Sequence, residues 1–492
     1  MDYSSLKSGT DVRGVASALG GKQVNLTEQA VYDITAAAVV WFTEKNNKKP
    51  SEIRVCVGHD SRITAKDISV NVIRALTDAG VSSYFCGLAS TPAMFMTTID
   101  LDADMAVQIT ASHHPFDRNG LKFFTKNGGL DTEDITAILE LAGNGKQIIS
   151  NKPGLVYPTD YMPKYAQRLR NMICTATGKS EDMQPLKGYH IIVDAGNGAG
   201  GFYANDVLKP LGADITGSQF LEPDGMFPNH IPNPENEQAM ESICTAVKKS
   251  GADLGIIFDT DVDRAGCVDR AGDEINRNRL VALASYIALQ DNAGGTVVTD
   301  SVTSAGLKDY IEQTLKGKHY RYKRGYKNVI NKALELCAQG INCPLAIETS
   351  GHAAFKENYF LDDGAYLATR IVIELARGKD FEKILSALKM PAEEKEIRLN
   401  ITVADFKAYG TNVINELEKF AKANANCIIA DDNREGMRVT TENGWMLLRL
   451  SVHDPVMPVN FESDVKGGVE KNIEFFRKFY EQFSELDLSS YK

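Results

Sequence analysis

Short apolar runs rich in β-branched residues alternate with longer stretches of helical period from the N-terminus to about residue 390. Residues 53–57 read as a buried strand. The turn Gly58-His59-Asp60-Ser61-Arg62 follows, and residues 65–76 then repeat with helical spacing. Residues 105–109, 189–193, 254–258, 296–299 and 345–347 read as further strands, most of them running into polar or glycine-rich turns. Strands alternating with helices predict α/β layers with parallel or mixed sheets, and turns at the carboxyl ends of such strands are where these sheets bind ligands. Beyond residue 390 the pattern changes: a strand at 397–403, a helix at 408–423, more strands, then a charged terminal helix at 469–483. That is a smaller α+β module. Breaks are expected at the proline-containing stretch 152–158, between Gly266 and Arg279, and at Pro391 with the charged run Glu393-Glu394-Lys395-Glu396. The expected domains are therefore 1–155, 156–272, 273–390 and 391–492.

A length of 492 residues with 43% hydrophobic and 24% charged residues is ordinary for a globular chain able to bury several cores. The 54 Lys and Arg against 65 Asp and Glu set a net charge of −11, which argues against general nucleic-acid binding. No run approaches the roughly 18 apolar residues of a membrane span, and the first residues carry neither the basic nor the apolar part of a secretory signal. The 8 cysteines are scattered, with no Cys-x-x-Cys spacing, so neither a zinc site nor a disulfide framework is expected. A reducing, cytoplasmic location follows.

The acidic turn Asp259-Thr260-Asp261-Val262-Asp263-Arg264 follows an apolar strand and sets three carboxylates at alternate positions. In an extended turn these would converge, and three close carboxylates call for a cation. Mg²⁺ fits better than an EF-hand calcium ion, whose glycine and distal Glu are missing; a solvated acidic turn is the plainer alternative. In Thr110-Ala111-Ser112-His113-His114-Pro115 a serine sits beside two imidazoles, which suits either a nucleophile with a base or a capped turn with surface histidines. Lys122 follows shortly after. Glu348-Thr349-Ser350-Gly351-His352 combines groups that suit sugar hydroxyls and proton transfer. Arg449, Ser451 and His453 stand at alternate positions in a pattern that resembles a phosphate cradle, with structural strand-end residues the plainer alternative.

The order of these segments resembles the α-D-phosphohexomutase family, which includes phosphoglucomutases and phosphomannomutases. The resemblance runs over nearly the whole chain, through Thr10-Asp11-Val12-Arg13-Gly14, the Gly58–Arg62 turn, Ser90-Thr91-Pro92, the serine loop, Pro223-Asp224-Gly225-Met226-Phe227-Pro228, the acidic turn, Gly325-Tyr326-Lys327, Glu348–His352 and Arg449–Pro455. It implies three successive α/β domains with mixed sheets plus a smaller C-terminal α+β domain. It also implies an enzyme that interconverts hexose 1-phosphate and hexose 6-phosphate, with glucose or mannose as the sugar. Ser112 would carry a phosphoryl group, and its oxygen with Asp259, Asp261 and Asp263 would hold Mg²⁺. Hexose 1,6-bisphosphate would be the intermediate and activator. Lys122, His113 and His352 would serve catalysis, Arg13, Arg264, Lys327, Glu348 and Ser350 would bind substrate, and Arg449, Ser451 and His453 would bind the phosphate that is not being transferred. The partner implied is a sugar phosphate, with no nucleic acid or membrane, and the protein a monomer or homodimer. The chain departs from the family pattern at His114 (more often Asn), Ile347 (Gly), and His453-Asp454 (Thr-Glu).

Overall fold

The computed structural model describes residues 1–451 and 454–491. By density of internal packing the chain divides into two compact units, residues 1–287 with 350–382, and residues 288–349 with 383–492. Three α/β domains with mixed sheets and a smaller α+β domain succeed one another along it.

The first sheet runs in the order Lys7–Ser8, Asp11–Val15, Arg118–Thr125, Met105–Ile109, Arg54–His59, Ser82–Leu88, Val156–Pro158. Its half from Met105–Ile109 to Val156–Pro158 is parallel, and Arg118–Thr125 turns back antiparallel to Met105–Ile109. The expected first break thus lends its residues 156–158 to this sheet. Strand Met105–Ile109 is buried at every position, as a central strand covered on both faces must be. Its core takes in Val107, Ile109, Leu121 and Phe123 with Val31, Ile34 and Ile135 of the covering helices.

The second sheet places Leu254–Phe258 between Ile191–Asp194, parallel, and Ala265–Asp269, antiparallel. Its core is separate: Ile192, Ile257 and Val268 against Ala239, Met240, Ile243 and Val247. In the first unit the hairpin Ala353–Phe355 with Leu361–Asp362 follows residues 350–352. In the second unit Thr296–Thr299 pairs in parallel with Lys318–Arg321 and Leu345–Ile347.

The last sheet is antiparallel throughout. Helices Phe406–Ala423 and Gly468–Tyr480 supply Val413, Leu417, Ile473 and Phe476 to its core. The charged run 393–396, just past the expected break at Pro391, starts strand Glu393–Ile401, which pairs with Val456–Ser463 from Glu393 to Asn400. Its other side pairs only at Asn400 and Ile401, so the charged half lies on a sheet edge, where charge is tolerated and deters further pairing. Arg438 ties this sheet to the rest of its unit. It donates to the carbonyls of Ser301 and Thr303 at 3.2 and 3.0 Å and lies 3.5 Å over the Trp445 ring. Among the described residues no helix is long and apolar enough to cross a membrane.

Candidate active site

The serine loop leaves the carboxyl end of Met105–Ile109. Ser112 takes φ 49°, and its N–H is held by the Thr110 hydroxyl at 2.8 Å. A left-handed serine costs on the order of 1–2 kcal/mol, which the surrounding contacts must offset. Part of that support is the close backbone at Gly120, where a Cβ would sit 2.2 Å from the Val12 carbonyl oxygen and 2.7 Å from that of Thr110. Only glycine fits there.

Leu254–Phe258 and Ala265–Asp269 pair as far as Phe258 and Ala265, so the acidic turn is the loop of a hairpin rather than an extended segment. Val262 has φ 68°, an outlier for a β-branched residue. This tight loop makes the three carboxylates converge: oxygens of Asp259, Asp261 and Asp263 all lie within 4.8 Å of one another, and all three side chains are buried. The Asp261 carbonyl accepts from the Thr91 N–H at 2.8 Å, and Asp261 Oδ2 accepts from the Thr91 hydroxyl. Thr91 opens helix Thr91–Asp100, capped by Ser90 and carrying Pro92 in its first turn, so its N–H has no partner within the helix.

The two turns meet. Ser112 Oγ donates to Asp259 Oδ2 at 3.0 Å and accepts from Arg264 Nη2 at 2.9 Å. Arg264, wholly buried, also donates to His113 Nδ1, to Asp259 and to Asn233 Oδ1 (3.2 Å), and lies 3.7 Å from Glu235. Lys122 Nζ donates to Asp263 and lies 3.7 Å from Asp261. His352 joins from the 350–382 segment. Its Nδ1 hydrogen-bonds Asp362 and lies 3.9 Å from Asp263. Arg13 pairs with Asp11 at 2.7 Å, and its charge is felt at His113 and His114.

The electrostatics fit a cation. Burial, and after it Asp263 and Asp261, pushes the Asp259 carboxyl well above its ordinary range. Asp263 goes the other way, because Lys122, His352 and Arg264 outweigh its burial. One oxygen of Asp261 and one of Asp263 are buried without a hydrogen bond. Hard, unpartnered carboxylate oxygens gathered at one point are what Mg²⁺ requires. Burial first, and then Arg264 and His114, holds His113 neutral far below the ordinary histidine range. His352 moves upward, because Asp362 and Asp263 outweigh its burial.

Other expected residues are placed within the second unit. Glu348 Oε1 accepts from the Gly325 N–H at 2.6 Å, just before Lys327 in the first turn of helix Tyr326–Ala338. Arg449 donates to Asn460 Oδ1 at 3.2 Å and lies 3.8 Å from Glu396, with its Nε buried and unbonded. The Ser451 hydroxyl accepts from the Asp454 N–H at 3.2 Å. His453 lies outside the described residues. Ser350, in the first unit, has a buried hydroxyl without a hydrogen-bond partner. Sequence reasoning assigned no role to Thr91, Asp362 or Arg62. The motifs of Thr91 and Arg62 were visible, but their partners lie 170 and about 50 positions away along the chain, and Asp362 stands in no motif singled out above.

A serine and a lysine from one α/β domain and three carboxylates from the next thus define a buried centre whose carboxylates could hold a metal ion, an arrangement suited to phosphoryl transfer. Models of the phosphoglucomutase/phosphomannomutase α/β/α domains I, II and III match residues 6–148, 163–272 and 276–390 in that order, and the chain belongs to this family. It is 30% identical to a phosphoglucomutase of Neisseria gonorrhoeae over 466 residues, 94% of this chain and 93% of that one. It is 31% identical to a phosphomannomutase/phosphoglucomutase of Pseudomonas aeruginosa over 425 residues, 86% of each. A crystal structure of a phosphoglucomutase/phosphomannomutase family protein from Burkholderia thailandensis shares the fold, with TM-score 0.81, 24% identity and 98% of both chains covered.

Proposed function

We propose that the chain is a Mg²⁺-dependent phosphohexomutase. It interconverts hexose 1-phosphate and hexose 6-phosphate, of glucose or mannose, through a phosphoserine at Ser112 and a hexose 1,6-bisphosphate. The observation that carries the reading is Ser112 Oγ at 3.0 Å from Asp259 and 2.9 Å from Arg264, inside the carboxylate cluster. The activities named for the relatives support the same reading.

Asp259, Asp261 and Asp263, with a phosphoryl oxygen on Ser112, would hold the Mg²⁺, and the ion would supply neutralisation of charge on the phosphoryl group. A sugar hydroxyl attacks the phosphorus as the bond to Ser112 Oγ breaks. Arg264, already on Ser112 Oγ, donates to the departing oxygen, and Lys122 adds positive charge. His352, oriented by Asp362, takes the proton of the attacking hydroxyl. His113 accepts from Arg264 and so aims its guanidinium. The bisphosphate then turns, and its other phosphoryl group passes to Ser112, leaving the isomeric monophosphate. Glu348 and Ser350 bind sugar hydroxyls common to both orientations. Arg13 and Lys327 bind substrate, and Arg449, Ser451 and His453 hold the phosphate that stays.

A panel of hexose 1-phosphates with Mg²⁺ and catalytic bisphosphate tests this. Glucose and mannose 1-phosphates are expected to give the 6-phosphates, intact mass to show one labile phosphate on Ser112, and Ser112→Ala to abolish turnover even with bisphosphate supplied. Near-normal activity in that variant removes the phosphoserine. Release of free phosphate as the main product makes the protein a phosphohydrolase instead.

A further inference from the structure

Arg62 closes the turn Gly58-His59-Asp60-Ser61-Arg62, and its side chain has no exposure at all. Both of its Nη atoms are engaged. Nη2 donates to the carbonyls of Ser112 and His114, the latter at 2.6 Å, and Nη1 donates to those of Pro115 and Arg118, both at 2.8 Å. Nε faces Asp60 Oδ2 at 3.3 Å. One guanidinium thus holds four carbonyls of the loop that carries Ser112, and with no exposed surface it cannot reach a sugar phosphate.

The other side of Arg62 is closed by the second α/β domain. The Phe227 ring lies 5.3 Å over the guanidinium carbon. Phe227 has φ 50°, and a Cβ at nearby Gly225 would sit 2.4 Å from the Ile63 nitrogen and 2.5 Å from the Ser61 oxygen. The Pro223–Pro228 loop is therefore pressed against the Arg62 turn. Both domains of the site confine this one side chain.

We infer that Arg62 is the positioning residue of the phosphoryl-carrying serine, fixing the left-handed turn that turns Ser112 Oγ toward Asp259 and Arg264. The inference rests on the mutase reading for its effect on rate, but not for its effect on the loop. A planar fork can serve four carbonyls, whereas a lysine ammonium has three donors on a flexible stem. Charge alone is therefore not enough.

The test is Arg62→Lys, which keeps the charge and loses the fork, in the full chain with Mg²⁺. Amide exchange across 112–118 is expected to rise at least tenfold, with protection elsewhere unchanged. The kcat is expected to fall at least a hundredfold while KM for the hexose 1-phosphate stays within threefold. In Arg62→Ala, guanidinium ion is expected to restore part of the kcat. If Arg62→Lys keeps both its kcat and the protection of 112–118, or if KM rises in step with the loss of kcat, the inference falls. Should Arg62→Lys fail to fold, Phe227→Leu reads the same quantity: faster exchange at 112–118 supports it, and unchanged exchange overturns it. If the wild type turns over no hexose phosphate while Arg62→Lys still loosens the loop, the mutase reading fails and the positioning of Ser112 stands.

Discussion

Ser112 occupies a backbone conformation that serine rarely adopts, and several independent contacts keep it there. Thr91 plays a comparable part for the acidic turn. By engaging Asp261 through both backbone and hydroxyl, it directs one carboxylate oxygen and leaves the other unbonded. Outer partners of metal ligands are typically worth about 10- to 100-fold in metal affinity. Thr91→Val is therefore expected to raise the Mg²⁺ concentration for half-maximal turnover about 10- to 100-fold, read from a metal titration. Away from the site, buried His230 lies 3.0 Å from Asp194. Its burial favours the neutral ring, but the hydrogen bond and charge of Asp194 outweigh that and raise its pKa. The folded state thus binds the proton more tightly than the unfolded state. The stabilisation is complete below about pH 6.5 and is lost as pH climbs through the higher folded-state value. The difference in unfolding free energy between the wild type and His230→Asn is expected to be larger at pH 6 than at pH 9, measured by urea denaturation.

Elements position the chemistry by where they end. Strand Met105–Ile109 delivers the serine loop, and its antiparallel neighbour Arg118–Thr125 brings Lys122 opposite Gln108, close enough for its ammonium to reach Asp263. That pairing demands the bare backbone of Gly120, so Gly120→Ala is expected to cost about 1–3 kcal/mol of unfolding free energy in a denaturant titration. The hairpin of Leu254–Phe258 and Ala265–Asp269 replaces the extended turn expected from alternation, and it brings the carboxylates together by bending rather than by pleat. At the C-terminal module, the charged run Glu393–Glu396 pairs fully with Val456–Ser463. Solvent on its other side removes the need for alternation.

At the scale of the molecule, the first, second and last domains each own a separate hydrophobic core. Chains with several cores seldom unfold in one step. Calorimetry is expected to give a measured enthalpy larger than the van't Hoff enthalpy. Stripping divalent ions with a chelator is expected to abolish turnover and added Mg²⁺ to restore it, because burial and the neighbouring carboxylates oppose ionisation of Asp259 and a divalent ion offsets both. A net charge of −11 does not oppose binding of an anionic sugar phosphate, since screening over about 8 Å separates surface carboxylates from the local cations of the site.

Local pattern was enough for much of this protein. Strands 105–109, 254–258, 296–299 and 345–347 stand where alternation of apolar runs and turns put them, and the chemistry-bearing turns follow them. The spacing of Asp259, Asp261 and Asp263, and of Ser112 with its histidines, was legible because those residues are neighbours in the chain. What folding decided is everything that joins distant segments. The 3.0 Å contact of Ser112 with Asp259 spans 147 positions, Lys122 reaches Asp263 across 141, and Arg62 grips the serine loop from about 50 residues upstream. A sequence records each partner's type, but the distance between them depends on the register and packing of whole domains, which no local run encodes.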